Sequence, residues 1–181
     1  MSKWLSAISQ KMSIFLLTDL TDIKIVIALL RKLNCDTIQI QGKMDVETII
    51  ELASKARDYK YKVVKSVAAP KSMGELAKID MYIEPIQPFL DAILIDSSWR
   101  GGTGKSPNWS GVKKLIQNID IPVILAGGIS ESNLLSICND LTPYGLDVES
   151  SVESVLYSNG TRISVKNPIS IQRLLGLLRS N

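Results

Sequence analysis

The stretch Ala92-Ile93-Leu94-Ile95-Asp96, followed shortly by Gly101-Gly102-Thr103-Gly104-Lys105-Ser106 and then by a helical pattern from Trp109, decides how the chain is read. An unbroken apolar run bounded by polar residues suits a strand buried on both faces, and its terminal carboxylate projects from the end of a packed sheet. The glycine-dense loop lets backbone N–H groups approach an anion closely, so a proton donor or acceptor and an anion cradle share one strand end. Asp96 also has a plainer reading, as a helix cap or loop acceptor. The loop is not a nucleotide-binding P-loop, because that motif needs a glycine five positions before Gly104 and Trp99 stands there.

The same grammar repeats on either side. Strands are expected at Ser13 to Thr18, Thr37 to Gln41, Lys62 to Ala68, Ala92 to Asp96, Pro122 to Ala126 and Gly145 to Ser150. Helices are expected at Asp22 to Leu33, Val46 to Tyr59, Ser72 to about Ile83, Trp109 to Asn118, Glu131 to Asn139 and Pro168 to Arg179, with Asp45, Ser130 and Asn167 as N-terminal caps. Strand and helix alternating through short links, with strands apolar on both faces, predict an α/β fold: a parallel sheet covered by helices, either a βα barrel or an open doubly wound sheet. No low-complexity linker interrupts the pattern, and one domain over residues 1–181 is expected.

Composition narrows the chemistry. The 181 residues are 45% hydrophobic and 22% charged, in the range of a globular domain with an adequate core. There is no histidine, which excludes histidine-based catalysis and the ordinary His/Cys zinc sites, and no metal site is expected. The two cysteines, Cys35 and Cys138, form no metal-binding spacing and no disulfide framework. A net charge of +3 suits an anionic small molecule, whereas scattered Lys and Arg without interleaved aromatics argue against nucleic acid. Asp19, Asp22 and Lys24 break the apolar run after Ile14 before it spans a bilayer, and the first residues lack the core of a signal peptide, so no membrane partner and a cytoplasmic location are expected.

In either architecture ligands gather at the carboxyl ends of the strands. That rule selects Asp96, Gln39, Gln41, Lys65, Gly127, Gly128, Asp147, Glu149, Ser150 and Ser151, and sets aside Cys35, which precedes a strand, and Cys138, which lies in a helix. Gly127-Gly128 offers bare N–H groups for a phosphate, or simply a tight turn needing positive φ. Ser150 and Ser151 add hydroxyl and backbone donors, or ordinary loop polarity. Lys65 either points to the mouth or lies among the covering helices. Trp99 and Arg100 suit a lid over an aromatic group or a loop packed on its own base, and Trp109 reads as a core anchor.

Together these segments resemble the phosphoribosylanthranilate isomerase family of tryptophan biosynthesis. The resemblance rests on Leu94-Ile95-Asp96, on GGTGKSPNW at Gly101 to Trp109, and on PVILAGG at Pro122 to Gly128. It continues through PYGLDVESSVE at Pro143 to Glu153 and VKNP at Val165 to Pro168. The earlier IFLLTD and TIQIQG resemble the family's third and fourth strands, so the likeness runs from about Ile14 to the C-terminus. It implies a TIM-type βα barrel and an Amadori rearrangement of N-(5-phosphoribosyl)anthranilate to the carboxyphenylamino-deoxyribulose phosphate, with no cofactor. It also implies Asp96 as the general acid that opens the ribose ring, a phosphate held by Gly127, Gly128, Ser150 and Ser151, and Asp147 lining the sugar site. Gly101, Gly102 and Gly104 would then belong to a closing loop, with Gln39 at the substrate.

The family's general base is a cysteine in a KICG-type first strand, and its anthranilate-binding arginine lies in the same region; this chain reads as six βα units with the first two missing. Where the family has D-V-S-S-G-V-E, the chain has Asp147-Val148-Glu149-Ser150-Ser151-Val152-Glu153, which sets a carboxylate beside the expected phosphate. Isomerisation by the chain alone is therefore expected to be at most a trace. The alternatives are a non-catalytic sugar-phosphate or anion-binding protein on this scaffold, or a subunit completed by a partner chain. Six strands do not close an eight-stranded barrel, so the open sides predict a homo-oligomer or a covering partner.

Overall fold

The computed structural model describes residues 12–96, 109–158 and 161–179. Six parallel strands, β1 (Phe15–Thr18), β2 (Thr37–Ile40), β3 (Lys62–Ala68), β4 (Ala92–Asp96), β5 (Val123–Ala126) and β6 (Gly145–Asp147), lie side by side in chain order. Between them run α1 (Ile23–Leu33), α2 (Val46–Asp58), α3 (Met73–Ile83), α4 (Trp109–Gln117) and α5 (Leu134–Leu141). A strand order that never reverses is that of a βα barrel and not of a doubly wound sheet, which turns back at a switch point. The sheet is an arc of a TIM-type barrel whose edges, among the described residues, are β1 and β6.

Local chemistry starts the helices where the sequence places them. Asp22 Oδ1 accepts the Ile25 N–H at 3.1 Å, Asp45 Oδ1 the Thr48 N–H at 2.8 Å, and Ser72 Oγ the Glu75 N–H at 3.2 Å. Asn167 Oδ1 accepts the Ile169 N–H at 2.9 Å and so caps α6 (Pro168–Arg179), whose first residue is the proline. At the far end of α1, Asn34 adopts φ +56° and returns its N–H to the last turn.

The sheet has two unlike faces. Ile38, Ile40, Val63, Val67, Ile93, Ile95, Val123 and Leu125 face the helices and meet Val26, Leu30, Ile49, Leu52, Val112 and Leu115 in one large core. The concave face holds a much smaller cluster of Val64, Ala92, Leu94 and Ala126. On β1 that face carries Phe15 and Leu17, in register with Thr37 and Gln39, and these edge residues are 44% and 55% exposed.

Three segments differ from expectation. The sixth strand stops at Asp147, and Ser150–Val152 form a 3₁₀ turn. Residues placed after it in no element instead form an antiparallel hairpin, β7 (Glu153–Ser158) with β8 (Thr161–Lys166). The alternating pattern of Val155 and Tyr157 with Ile163 and Val165, around the sequence Asn159-Gly160, is the signal that marks such a hairpin. Helix α5 begins at Leu134 and not Glu131, because Asn133 holds the chain in turns: its amide accepts the Ser130 N–H at 2.8 Å and donates to the Gly128 carbonyl at 2.9 Å. Ser130 is thus a turn residue and not the cap of this helix.

Candidate active site

The register of the sheet builds the site. Ala68, Asp96, Ala126 and Asp147 are partners in one row across β3 to β6, and partners in a row share a face. Ala126 belongs to the concave cluster, so both carboxylates stand on the concave face at the carboxyl ends of their strands. One strand, β5, separates them, which is two inter-strand spacings or about 10 Å. Ala126 between them, and Ala68 on the other side of Asp96, add little bulk to this row. One row deeper lie Ser66, Leu94, Ile124 and Gly145, also small or apolar.

Asp147 feels this arrangement. Burial around its carboxyl raises the pKa, the negative charges of Asp96 and Glu149 raise it further, and Lys166 draws it part of the way back. The side chain still has substantial solvent-accessible surface, as expected at the rim of a concave mouth; water there tempers the burial effect more than the repulsion between carboxylates. Lys166 donates to the Glu149 carbonyl at 3.2 Å and pairs with Glu153 at 2.7 Å, which ties β8 to the loop after β6.

Gly127 and Gly128 follow β5 directly, with φ of +89° and +66°. Side chains rarely adopt such angles, so the tight-turn reading holds, and the turn also leaves bare backbone beside the end of β6. The next strand end carries the 3₁₀ turn of Ser150 and Ser151, and the buried Ser151 Oγ lacks a hydrogen-bond partner among the described residues. An unpartnered buried hydroxyl is costly unless something meets it.

On the other flank, Gln39 shares the concave face and donates from Nε2 to Ser66 Oγ at 3.1 Å. Asp96 lines a small cleft with Gln41, Gly42, Ser66 and Val67. Lys65 does not join it. Its register partners Ile40 and Ile93 face the helices, and Lys65 is buried there. Gly101, Gly102, Gly104, Trp99 and Arg100 lie outside the described residues. Neither cysteine reaches a strand end: Cys35 is buried before β2, where burial and then the charge of Asp36 raise its pKa, and Cys138 sits within α5. Among the described residues no group of three or more metal-ligating side chains comes together, and no helix is long and apolar enough to cross a membrane.

The arc of βα units with its carboxylates and glycine turn at the strand ends defines a TIM-type barrel protein of the kind that takes its ligand at the mouth. Residues 18–162 match the family model of N-(5'-phosphoribosyl)anthranilate (PRA) isomerase, and the chain belongs to that family. The N-(5'-phosphoribosyl)anthranilate isomerase of Methanopyrus kandleri is 31% identical over 122 residues, 64% of this chain and 55% of that protein. The enzyme of the same name from Methanothrix thermoacetophila is 28% identical over 145 residues, 78% of this chain and 62% of its own length. That of Haloferax volcanii is 42% identical over 72 residues, covering 38% and 33%. The chain thus spans between a third and somewhat under two thirds of these relatives. Among solved structures, the phosphoribosyl anthranilate isomerase of Thermotoga maritima superposes with a TM-score of 0.72 at 20% identity, covering 100% of this chain and 82% of that one. The Pyrococcus furiosus enzyme gives 0.71 at 18%, with the same coverage.

Proposed function

We propose that this chain carries the acid and phosphate side of a phosphoribosylanthranilate isomerase site. Asp96 protonates the ring oxygen of the substrate's ribose as the C1–O bond breaks, leaving an open-chain iminium. The turn at Gly127 and Gly128, with Ser150 and Ser151, holds the 5-phosphate, and Asp147 meets the sugar hydroxyls. The observation that carries the reading is the shared row of Asp96 and Asp147 on the concave face, next to a positive-φ glycine turn. Family membership supports the substrate, and one structurally similar phosphoribosyl anthranilate isomerase is known in complex with reduced 1-(o-carboxyphenylamino)-1-deoxyribulose 5-phosphate.

The second half of the rearrangement needs a base to take the C2 proton from the iminium. The chain has no histidine, and both of its cysteines lie away from the strand ends. A term commonly worth about 10²–10⁴-fold is then missing, and the chain alone turns over at a trace rate. The edges that β1 and β6 form among the described residues favour completion by a second polypeptide that pairs along them. A dimeric member of the family is known from Thermotoga maritima. Loss of anthranilate-type fluorescence on adding N-(5-phosphoribosyl)anthranilate measures turnover. Asp96→Asn is expected to abolish any residual signal, and a variant as active as the parent removes Asp96 from the mechanism. Robust turnover by the purified chain overturns the missing base.

A further inference from the structure

A cavity of about 650 Å³ lies between the carboxyl end of β3, the loop entering α2, and α3; Ser66, Val67 and Ala68 also line it, and Ser66 and Val67 border the Asp96 cleft as well. Its volume falls in the range of small-molecule sites, and like them it combines apolar walls with a few polar groups. Met44, Ile79 and the ring of Tyr82 form the walls. The Tyr82 hydroxyl is already used, donating to the Met44 carbonyl at 2.8 Å, so the ring presents only its apolar surface.

Positive charge outweighs negative at the cavity, although the Asp45 carboxylate acts on the Tyr82 hydroxyl. Lys43, Lys65 and Lys78 line it, and among the described residues none of them pairs with a carboxylate. Asp45 is the one acidic residue in the lining, and its carboxylate is turned to α2, where it accepts from the Thr48 N–H and hydroxyl at 2.8 Å each. Lys65 is 1% exposed and spends its ammonium hydrogens on the carbonyls of Ile40, Gly42 and Ser66. It therefore acts on an occupant through its positive potential in a weakly screened space, with its nitrogen 5.9 Å from the centre of the Tyr82 ring. Lys43 and Lys78 are exposed at the rim and free to reach an anion.

We propose that this cavity is a second ligand site, beside the barrel mouth and two strands from the glycine turn, which takes a small amphiphilic carboxylate: an aromatic body against Tyr82, Met44 and Ile79, and a carboxylate between Lys43 and Lys78. A neutral molecule of the same shape gains the apolar contact but not the charge, and inorganic phosphate gains the charge but not the contact.

Benzoate, benzamide and inorganic phosphate, titrated separately and followed by NMR, test it. Benzoate is expected to bind in the millimolar range or tighter and to shift the Met44, Ile79 and Tyr82 signals, with benzamide about fivefold weaker. The rim variant Lys43→Ser/Lys78→Ser, altered only at exposed positions, should reduce benzoate to the benzamide level while leaving any phosphate-induced shifts at Gly127 and Gly128 unchanged. Equal affinity for benzoate and benzamide, unchanged benzoate binding in the rim variant, absence of binding, or shifts confined to the mouth would each overturn the proposal. Phosphate shifts at Gly127 and Gly128 report on the glycine turn after β5 alone, so the two sites fail independently.

Discussion

Replacing Lys65 by methionine should leave stability near neutral pH almost unchanged and yet remove a specific part of its pH dependence. Burial lowers the Lys65 pKa from the ordinary 10.5 to about 8. Below about pH 8 both folded and unfolded chains hold the proton, and the full penalty of burying the ammonium applies. Between that point and 10.5 the unfolded chain binds more protons, so stability rises with pH through this window and levels off above it. The whole span corresponds to about 3 kcal/mol at 1.36 kcal/mol per unit. Lys65→Met removes that penalty together with three hydrogen bonds to the carbonyls of Ile40, Gly42 and Ser66, each worth about 1 kcal/mol. The two effects oppose one another, and the net change at about pH 7 is expected to be within about 1 kcal/mol. Between about pH 7 and about pH 9.5 the parent should gain about 2 kcal/mol relative to the variant. Urea unfolding of both proteins at the two pH values gives this difference, with titrations elsewhere in the chain cancelling. Parallel curves for the two proteins would refute the reasoning and mean that the amine is hydrated in the folded state.

Other expectations follow from the same geometry. Glu149→Ser should tighten phosphate binding at the Gly127-Gly128 turn by about 1 kcal/mol, through loss of like-charge repulsion, and calorimetry showing equal or weaker binding would place the Glu149 carboxylate elsewhere. The Asp147 pKa is raised, so the folded chain binds the more protons and stability falls as pH rises through that window. Asp147→Asn should accordingly raise Tm near neutral pH and lose this advantage in acid, and a lower Tm at neutral pH would refute it. The edges at β1 and β6 predict concentration-dependent self-association or a low Tm. Leu17→Lys, which charges an exposed edge position, should shift light scattering toward the monomer, and a stable, concentration-independent parent monomer counts against both outcomes.

The fold was readable because each βα unit carries its own punctuation: Asp22, Asp45 and Ser72 announce helices, and apolar runs precede them. The choice of a barrel over an open sheet came from the family resemblance and not from the local pattern, since strand order depends on pairings between distant segments that no local pattern encodes. The start of α5 was misplaced because Ser130 and Asn133 are both good caps, and which of them ends the turn depends on Asn133 reaching back to the Gly128 carbonyl. Asp96, Asp147 and the glycine pair followed from the strand-end rule alone. Ser151 followed from the same rule, but that its hydroxyl is buried without a hydrogen-bond partner among the described residues depends on packing that the sequence does not display.

Lys65 shows most clearly where sequence reading stops. A strand alternates its faces, so Lys65 and Ser66 must point oppositely, but Val63, Val64, Ser66, Val67 and Ala68 give no contrast from which to assign them. Parity becomes legible only through register. Ala68 pairs with Asp96, which fixes Ala68, Ser66 and Val64 on the concave face and sends Lys65, an odd number of positions away, toward the helices. A slip of one residue between β3 and β4 would have placed the ammonium beside Asp96 as its counter-ion. In the actual register the ammonium lies behind the sheet, beside a cavity with lysines of its own, and a cation that acts on Asp147 is instead Lys166.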